Sequence, residues 1–196
     1  MMLSIVSPIY LAENIVEKLV FEIEKAVSTL NIAYEIILVD DRSPDYSWTK
    51  MKEISKNNPN VKSIRLSKNF GQHPAIIAGL NQAKGEWIVV MDCDLQDQPN
   101  EIINLYEKTK EGFDIVLARR TNRKDNFIKK LSSKLFSKAY GFFTDTKYDN
   151  EIANFGIYNK KVIQSILRIP DYIKFFPLFI NFVGFNTTSI TVNHSS

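Results

Sequence analysis

The chain has 196 residues, 44% hydrophobic and 24% charged, with a net charge of +3 and a pI near 8.8. That is the size and composition of one globular domain with a sizeable core, and it excludes a disordered chain. The charge is too mild, and the Lys/Arg blocks too short, for a nucleic-acid-binding arm, so no nucleic acid is expected as a partner. A single cysteine, Cys93, excludes an internal disulfide framework and fits a reducing cytoplasm. The opening "MMLSIVSPIYLAEN" lacks a basic region and a small-residue cleavage site, so it reads as a first strand. No uninterrupted apolar run is long enough to span a bilayer.

Strand and helix patterns alternate from the start. "LSIVSPI" (3–9) reads as a strand, and 12–30 as a helix with Ile15, Leu19, Ile23, Ala26 and Leu30 at helical spacing. Strand two, "YEIILVDD" (34–41), ends in two acids; a helix over 47–58 stops before Pro59; "VKSIRL" (61–66) is strand three. A small-residue helix over 71–85 could pack closely on a sheet. Strand four, "EWIVVMD" (86–92), is followed by a helix over 99–112 with Pro at its start and Gly at its end, and then by strand five, 114–118. Beyond residue 120 the alternation weakens: a basic amphipathic helix over 126–143, a short strand at "FGIYN", a helix at "KKVIQSILRI" and a last strand over 188–194. There is no linker and no repeat, which predicts one domain over 1–196 with a nucleotide-binding front half (1–120) and an acceptor back half (121–196).

Apolar strands separated by amphipathic helices predict an α/β fold, a mainly parallel sheet covered on both faces. Ligands bind at the carboxyl ends of such strands. Asp40/Asp41 and Asp92/Asp94 are therefore expected on one edge. An Asp-x-Asp alone carries a high false-positive risk, and a solvated loop explains it equally well. Its position improves the case. Asp92, Asp94 and the amide of Gln96 suit Mg²⁺ or Mn²⁺ completed by water and phosphate oxygens, and no His/Cys cluster points to zinc.

"EIILVDDRSPD", then "NFGQHPAIIAGLNQAKGEWIVVMDCDLQDQP", then "DIVLARR" closely resemble family 2 glycosyltransferases with a GT-A fold. The likeness is greatest to the branch of dolichyl-phosphate mannose synthases and bacterial polyprenyl-phosphate glycosyltransferases. It runs from about residue 3 to 194, is most specific over 66–99 and is looser in the back half. The resemblance implies that Asp94 and Gln96 coordinate a divalent cation on the donor diphosphate, with Asp92 near the ribose and the metal. It places Asp40 and Asp41 near base and ribose, and Pro8 and Tyr10 on the floor and wall of the base pocket. Arg119 and Lys129 would face phosphate. Asn69 and Gly71 are candidates to shape the donor pocket, and a simple strand–helix turn explains both equally well. Asp92, Asp94 and Arg119 are thus the expected catalytic residues, since a leaving nucleoside diphosphate gains negative charge.

The chain departs from the family pattern where Tyr10 is followed by Leu11 and Ala12 rather than Asn-Glu, with Glu13 as a substitute or a helix-start acid. Arg42 replaces a small residue, and Asn154 stands where relatives carry Asp or Gly. The chain reads as stopping short of a donor-closing loop and membrane-associated helices. His73, His194 and the acids Asp145, Asp149 and Glu151 have surface explanations as good as chemical ones, and Cys93 is expected to point into the core. The Phe-rich stretch 171–185 and the Lys129, Lys130, Lys134 and Lys138 face are candidates for lipid contact, with core packing and a solvated face as the ordinary readings.

The expected activity is inverting, metal-dependent transfer of a sugar from a nucleotide-sugar donor to a polyprenyl phosphate in cell-envelope glycan synthesis, at the cytoplasmic face of the membrane. The alternatives are a saccharide hydroxyl acceptor, which needs a carboxylate base such as Asp149 or Glu151, and a catalytically silent sugar-nucleotide-binding module. A phosphoacceptor receiver domain is set aside, because strand one ends in Pro-Ile-Tyr and strand three in Leu-Ser-Lys rather than in the acids it requires.

Overall fold

The computed structural model describes residues 1–120, 152–170 and 176–192. Within them, seven strands form one sheet: β1 (Met2–Ile9), β2 (Ala33–Asp40), β3 (Val61–Arg65), β4 (Trp87–Val90), β5 (Ile115–Arg120), β6 (Ile152–Asn159) and β7 (Thr187–Val192). Their order is β3-β2-β1-β4-β6-β5-β7. Strands β1 to β4 are mutually parallel, β6 runs antiparallel to both β4 and β5, and β7 is parallel to β5. The reversed β6 is the departure from an all-parallel sheet. It leaves β5 pointing the same way as β4, so the carboxyl ends of β1 to β5 share one edge.

Helices α1 (Val16–Ser28), α2 (Ser47–Asn57) and α4 (Glu101–Thr109) cover one face; α3 (Gln72–Leu80), α5 (Lys160–Arg168) and α6 (Phe176–Phe182) cover the other. Strand residues alternate between the two layers. Ile5 and Ile9 of β1 join Leu19 and Ile23 of α1, whereas Val6 joins Ala75, Ile76 and Leu80 of α3. Both faces are buried, which is why the strands read as unbroken apolar runs. Ile23 is fully buried, a burial that contributes about 2 kcal/mol.

Helix α3 lies close against the sheet because Gly79 carries no Cβ; a methyl there would collide with Val6 Cγ1 and stand 3.1 Å from Val39 Cγ2. Its small residues are thus packing residues, as the sequence led us to expect. The helix nevertheless ends at Leu80, short of Gly85. Helix α1 likewise starts at Val16 rather than at residue 12, because the backbone N–H groups of Leu11, Ala12 and Glu13 donate to Ser43, Ser47 and Asp45.

At the amino edge of the sheet, Glu35 is buried but satisfied: Ser4 Oγ and the Lys84 N–H each donate to Oε1 at 2.7 Å. That edge is sealed by structural hydrogen bonds. The basic segment expected as a helix over 126–143 lies outside the described residues. In the Phe-rich stretch, α6 buries Phe176, Phe179 and Ile180 and exposes Phe182. No helix among the described residues is long and apolar enough to cross a membrane.

Candidate functional site

Each of the four parallel strands β1 to β4 leaves the sheet through a loop containing one left-handed residue: Leu11 (φ 53°), Arg42 (φ 62°), Gly71 (φ 93°) and Leu95 (φ 58°). Three of these are not glycine, and each costs on the order of 1 kcal/mol in backbone strain. The strain turns every chain sharply at the carboxyl edge. Asx-type bonds support the turns: Asp40 Oδ1 accepts from Ser43 N–H at 3.0 Å, Asn69 Oδ1 from Gly71 N–H at 3.1 Å and Asp94 Oδ1 from Gln96 N–H at 3.0 Å.

Between these loops lies a cavity of about 320 Å³. Pro8, Ile9 and Tyr10 come from the end of β1, Asp41 from the end of β2, and Asn69, Gly71 and Gln72 from the β3–α3 turn. Asp92, Cys93 and Asp94 come from beyond β4. Two backbone bonds level the strand ends, from Asp41 N–H to Ile9 C=O at 2.9 Å and from Met91 N–H to Val6 C=O at 3.1 Å.

The acids divide into two kinds. Asp41 is almost fully buried, and its two oxygens accept from the N–H groups of Phe70 and Gly71 at 2.8 Å each. Asp92 is partly buried and accepts from Gln72 Nε2; Asp94 is exposed. All three meet at the cavity. The start of α3 adds the positive end of a helix dipole, supporting anion binding.

Asp40 stands behind the cavity wall, next to Asp41, with its carboxylate fully buried and Arg65 Nε 2.9 Å from Oδ2. Glu13 is also absent from the wall. Its carboxylate accepts from Tyr46 N–H at 2.8 Å, so it belongs to the seam between the β1 and β2 loops. Gln96 is exposed beside Asp94 but does not line the cavity. Arg119 lies exposed near the end of β5, paired with Thr191 of β7, on the same edge but outside the cavity. Lys129, Asp145, Asp149, Glu151 and His194 lie outside the described residues, and Asn154 falls on β6.

Cys93 packs against the core cluster, as expected, and also lines the cavity, because the strand stops at Val90 and its side-chain alternation stops with it. Burial first, and then the neighbouring charges of Asp92 and Asp94, push its thiol pKa up. His73 is partly buried within α3, and desolvation holds its imidazole below the ordinary range. The sequence reading missed Gln72. It follows Gly71 directly at the start of α3, and the carboxyl-edge rule already in use marks that position.

Two carboxylates facing one open cavity, with an exposed amide next to them, form a hard-oxygen set that fits Mg²⁺ or Mn²⁺. Among the described residues no three His, Cys, Asp or Glu side chains gather as a cage. An ion bound here would draw the rest of its shell from water or phosphate.

A family model described as glycosyl transferase family 2 matches residues 4–167. The undecaprenyl-phosphate 4-deoxy-4-formamido-L-arabinose transferase of Yersinia pestis (strain Pestoides F) is 34% identical over 194 residues, 98% of this chain and 59% of that protein. The glycosyltransferase YkcC of Bacillus subtilis (strain 168) is 35% identical over 188 residues, 95% of this chain and 58% of that protein. The chain therefore spans somewhat under 60% of the length of these curated relatives.

Among solved structures, the mannosyltransferase PcManGT from Pyrobaculum calidifontis, in complex with GDP-Man and Mn²⁺, superposes with a TM-score of 0.66 at 14% identity, over 96% of this chain and 54% of that one. The glucosyl-3-phosphoglycerate synthase of Mycobacterium tuberculosis, in complex with Mn²⁺, UDP and phosphoglyceric acid, gives 0.64 at 15%, over 100% and 71%. At these identities the likeness is one of fold, that of the GT-A glycosyltransferases.

Proposed function

Because the chain belongs to glycosyl transferase family 2, we propose that it transfers a sugar from a nucleoside-diphosphate donor held at the carboxyl edge of β1, β2 and β4 to a polyprenyl phosphate. The observation that supports this most is the convergence of Asp41, Asp92 and Asp94, from strands far apart in sequence, on one cavity. Tyr10 and Pro8 offer a flat apolar wall for a base, and the N-terminus of α3 offers fixed positive potential for a diphosphate.

Asp92 and Asp94, with Gln96 beside them, would hold Mg²⁺ or Mn²⁺, which would supply charge stabilisation to the leaving diphosphate. Arg119, on the same edge, is the cation we assign to phosphate; the sequence adds Lys129 as a second. In the reaction, an acceptor phosphate oxygen bonds to the anomeric carbon while the bond from that carbon to the donor diphosphate breaks, inverting the configuration. The nucleophile is already ionised near neutral pH and needs no protein base, so Asn154 is no obstacle. The name of the Yersinia relative, an undecaprenyl-phosphate sugar transferase, supports this choice of acceptor. We extend the reading to work at the cytoplasmic membrane face in envelope glycan synthesis, with peripheral contact near the exposed Phe182.

The test is a thermal-shift panel of UDP, GDP, dTDP and CMP with and without Mn²⁺, followed by transfer from the matching sugar nucleotide to a short polyprenyl phosphate or to a saccharide. Metal-dependent stabilisation by one nucleotide, with label moving to the lipid phosphate, is the expected result. Transfer to the saccharide alone would overturn the acceptor assignment, and stabilisation without transfer to either would leave a binding module.

A further inference from the structure

Asp40 and Arg65 lie behind the cavity wall, yet their contacts lead to it. Arg65 Nε stands 2.9 Å from Asp40 Oδ2, an ion pair without hydrogen-bond alignment, and Arg65 Nη2 donates to the Ser43 carbonyl at 3.3 Å. Asp40 Oδ1 in turn accepts from the Ser43 N–H at 3.0 Å. The pair thus holds both polar groups of the Ser43 backbone, immediately after the left-handed Arg42. Ser43 Oγ then accepts from the N–H of Leu11 at 3.2 Å. Leu11 is left-handed as well, and it directly follows Tyr10 on the cavity wall.

From this chain of contacts we infer that Arg65 is a positioning residue for the donor site. Through Asp40 and Ser43 it sets the β1 exit loop and hence the placement of Tyr10. The inference rests on the cavity being the nucleotide site. It gives the buried Asp40 a role that needs no contact with ligand, and it explains why the acid is followed by a strained residue: the clasp keeps Arg42 and Leu11 in conformations they would otherwise leave. Arginine is required because one planar guanidinium reaches two acceptors at once; lysine would keep the charge facing Asp40 and lose the second contact.

The experiment compares wild type, Arg65→Lys, Ser43→Ala and Tyr10→Ala as intact proteins, titrated with UDP, GDP, dTDP and CMP in the presence of Mn²⁺. Melting temperature is followed in parallel. Arg65→Lys and Ser43→Ala are expected to raise the Kd of the bound nucleotide about fivefold, the equivalent of one hydrogen bond, while the folded fraction at the assay temperature stays at wild-type level. In turnover, the donor KM rises and kcat holds. A purely structural role would instead lower the folded fraction and the apparent kcat with KM unchanged, and that result overturns the inference. Should Arg65→Lys fail to fold, Ser43→Ala decides alone, since it removes one hydroxyl and leaves the Asp40–Arg65 pair in place. Tyr10→Ala separates the two readings. Weakened binding there with unchanged Kd in the other two variants defeats the positioning role only, whereas no nucleotide bound by wild type defeats both.

Discussion

Asp41 Oδ2 accepts the Gly71 N–H at 2.8 Å, and through that bond the end of β2 is joined to the start of α3, thirty residues away. Oδ1 of the same carboxylate takes the Phe70 N–H. One side chain therefore anchors the turn that brings Asn69, Gly71 and Gln72 to the cavity, and lines that cavity as well. Structural and binding roles coincide in it.

Asp41→Asn should therefore be costly in two ways. An amide offers one acceptor oxygen and presents two donors, so one of the two N–H groups is left facing a donor. A loss of about 1–3 kcal/mol is expected for a buried donor left without an acceptor, read as a lower urea midpoint at unchanged m-value. Nucleotide binding should weaken in the same variant even at temperatures where it remains folded. An unaltered midpoint would contradict the anchoring role.

Asp94→Ala should behave differently, because Asp94 is exposed and its described bond is a local turn to Gln96. Melting temperature without ligand should stay within a degree or two, as for most exposed substitutions. The additional stabilisation that Mn²⁺ gives in the presence of nucleotide should disappear. Persistence of that metal-dependent increment would remove Asp94 from the proposed ion site.

Gly79→Ala tests the packing that places α3. Alanine favours helix over glycine by about 1 kcal/mol, but its methyl would meet Val6 and Val39 in the core. Overpacking of this kind costs about 1–3 kcal/mol, so net destabilisation in equilibrium urea unfolding is expected. A gain in stability would mean that the helix can retreat freely from the sheet.

Asp45 gives a pH dependence. Burial raises its pKa, but hydrogen bonds from the Ser47 hydroxyl and N–H and from the Glu13 N–H outweigh that effect and leave it below the ordinary carboxylate value of 3.8. A carboxyl with a depressed folded pKa contributes stability that is present above its unfolded pKa and is lost as pH falls through the folded value. The stability difference between wild type and Asp45→Asn should therefore be constant near neutrality and shrink below about pH 4. Acid unfolding curves of the two proteins would show it, and a gap that widens with acid would contradict the sign.

Cys93 reports on the cavity directly. With its thiol pKa raised by burial and by Asp92 and Asp94, iodoacetamide should label it more slowly at pH 8 than an ordinary exposed thiol, since the thiolate is the reactive form. Bound nucleotide should slow labelling further by covering the wall. Labelling indifferent to any nucleotide that stabilises the protein would place that nucleotide elsewhere.

The layered α/β fold was legible because its signals are local. Unbroken apolar strands such as Ile36–Val39 announce burial on both faces, and Leu19, Ile23 and Ala26 repeat at helical spacing. Strand direction then brings Asp41, Asp92 and Asp94 to one edge by a general rule of parallel sheets. What sequence pattern alone could not decide was which acids face the cavity. Asp40 and Asp41 are adjacent and chemically identical; one turns toward Arg65, twenty-five residues on, and the other toward Phe70 and Gly71. Cys93 lines the cavity because β4 ends early, and the antiparallel direction of β6 against β4 and β5 is not written in its periodicity. Periodicity and edge placement are encoded within a few residues, whereas the orientation of a charged side chain depends on partners that only tertiary folding brings within reach.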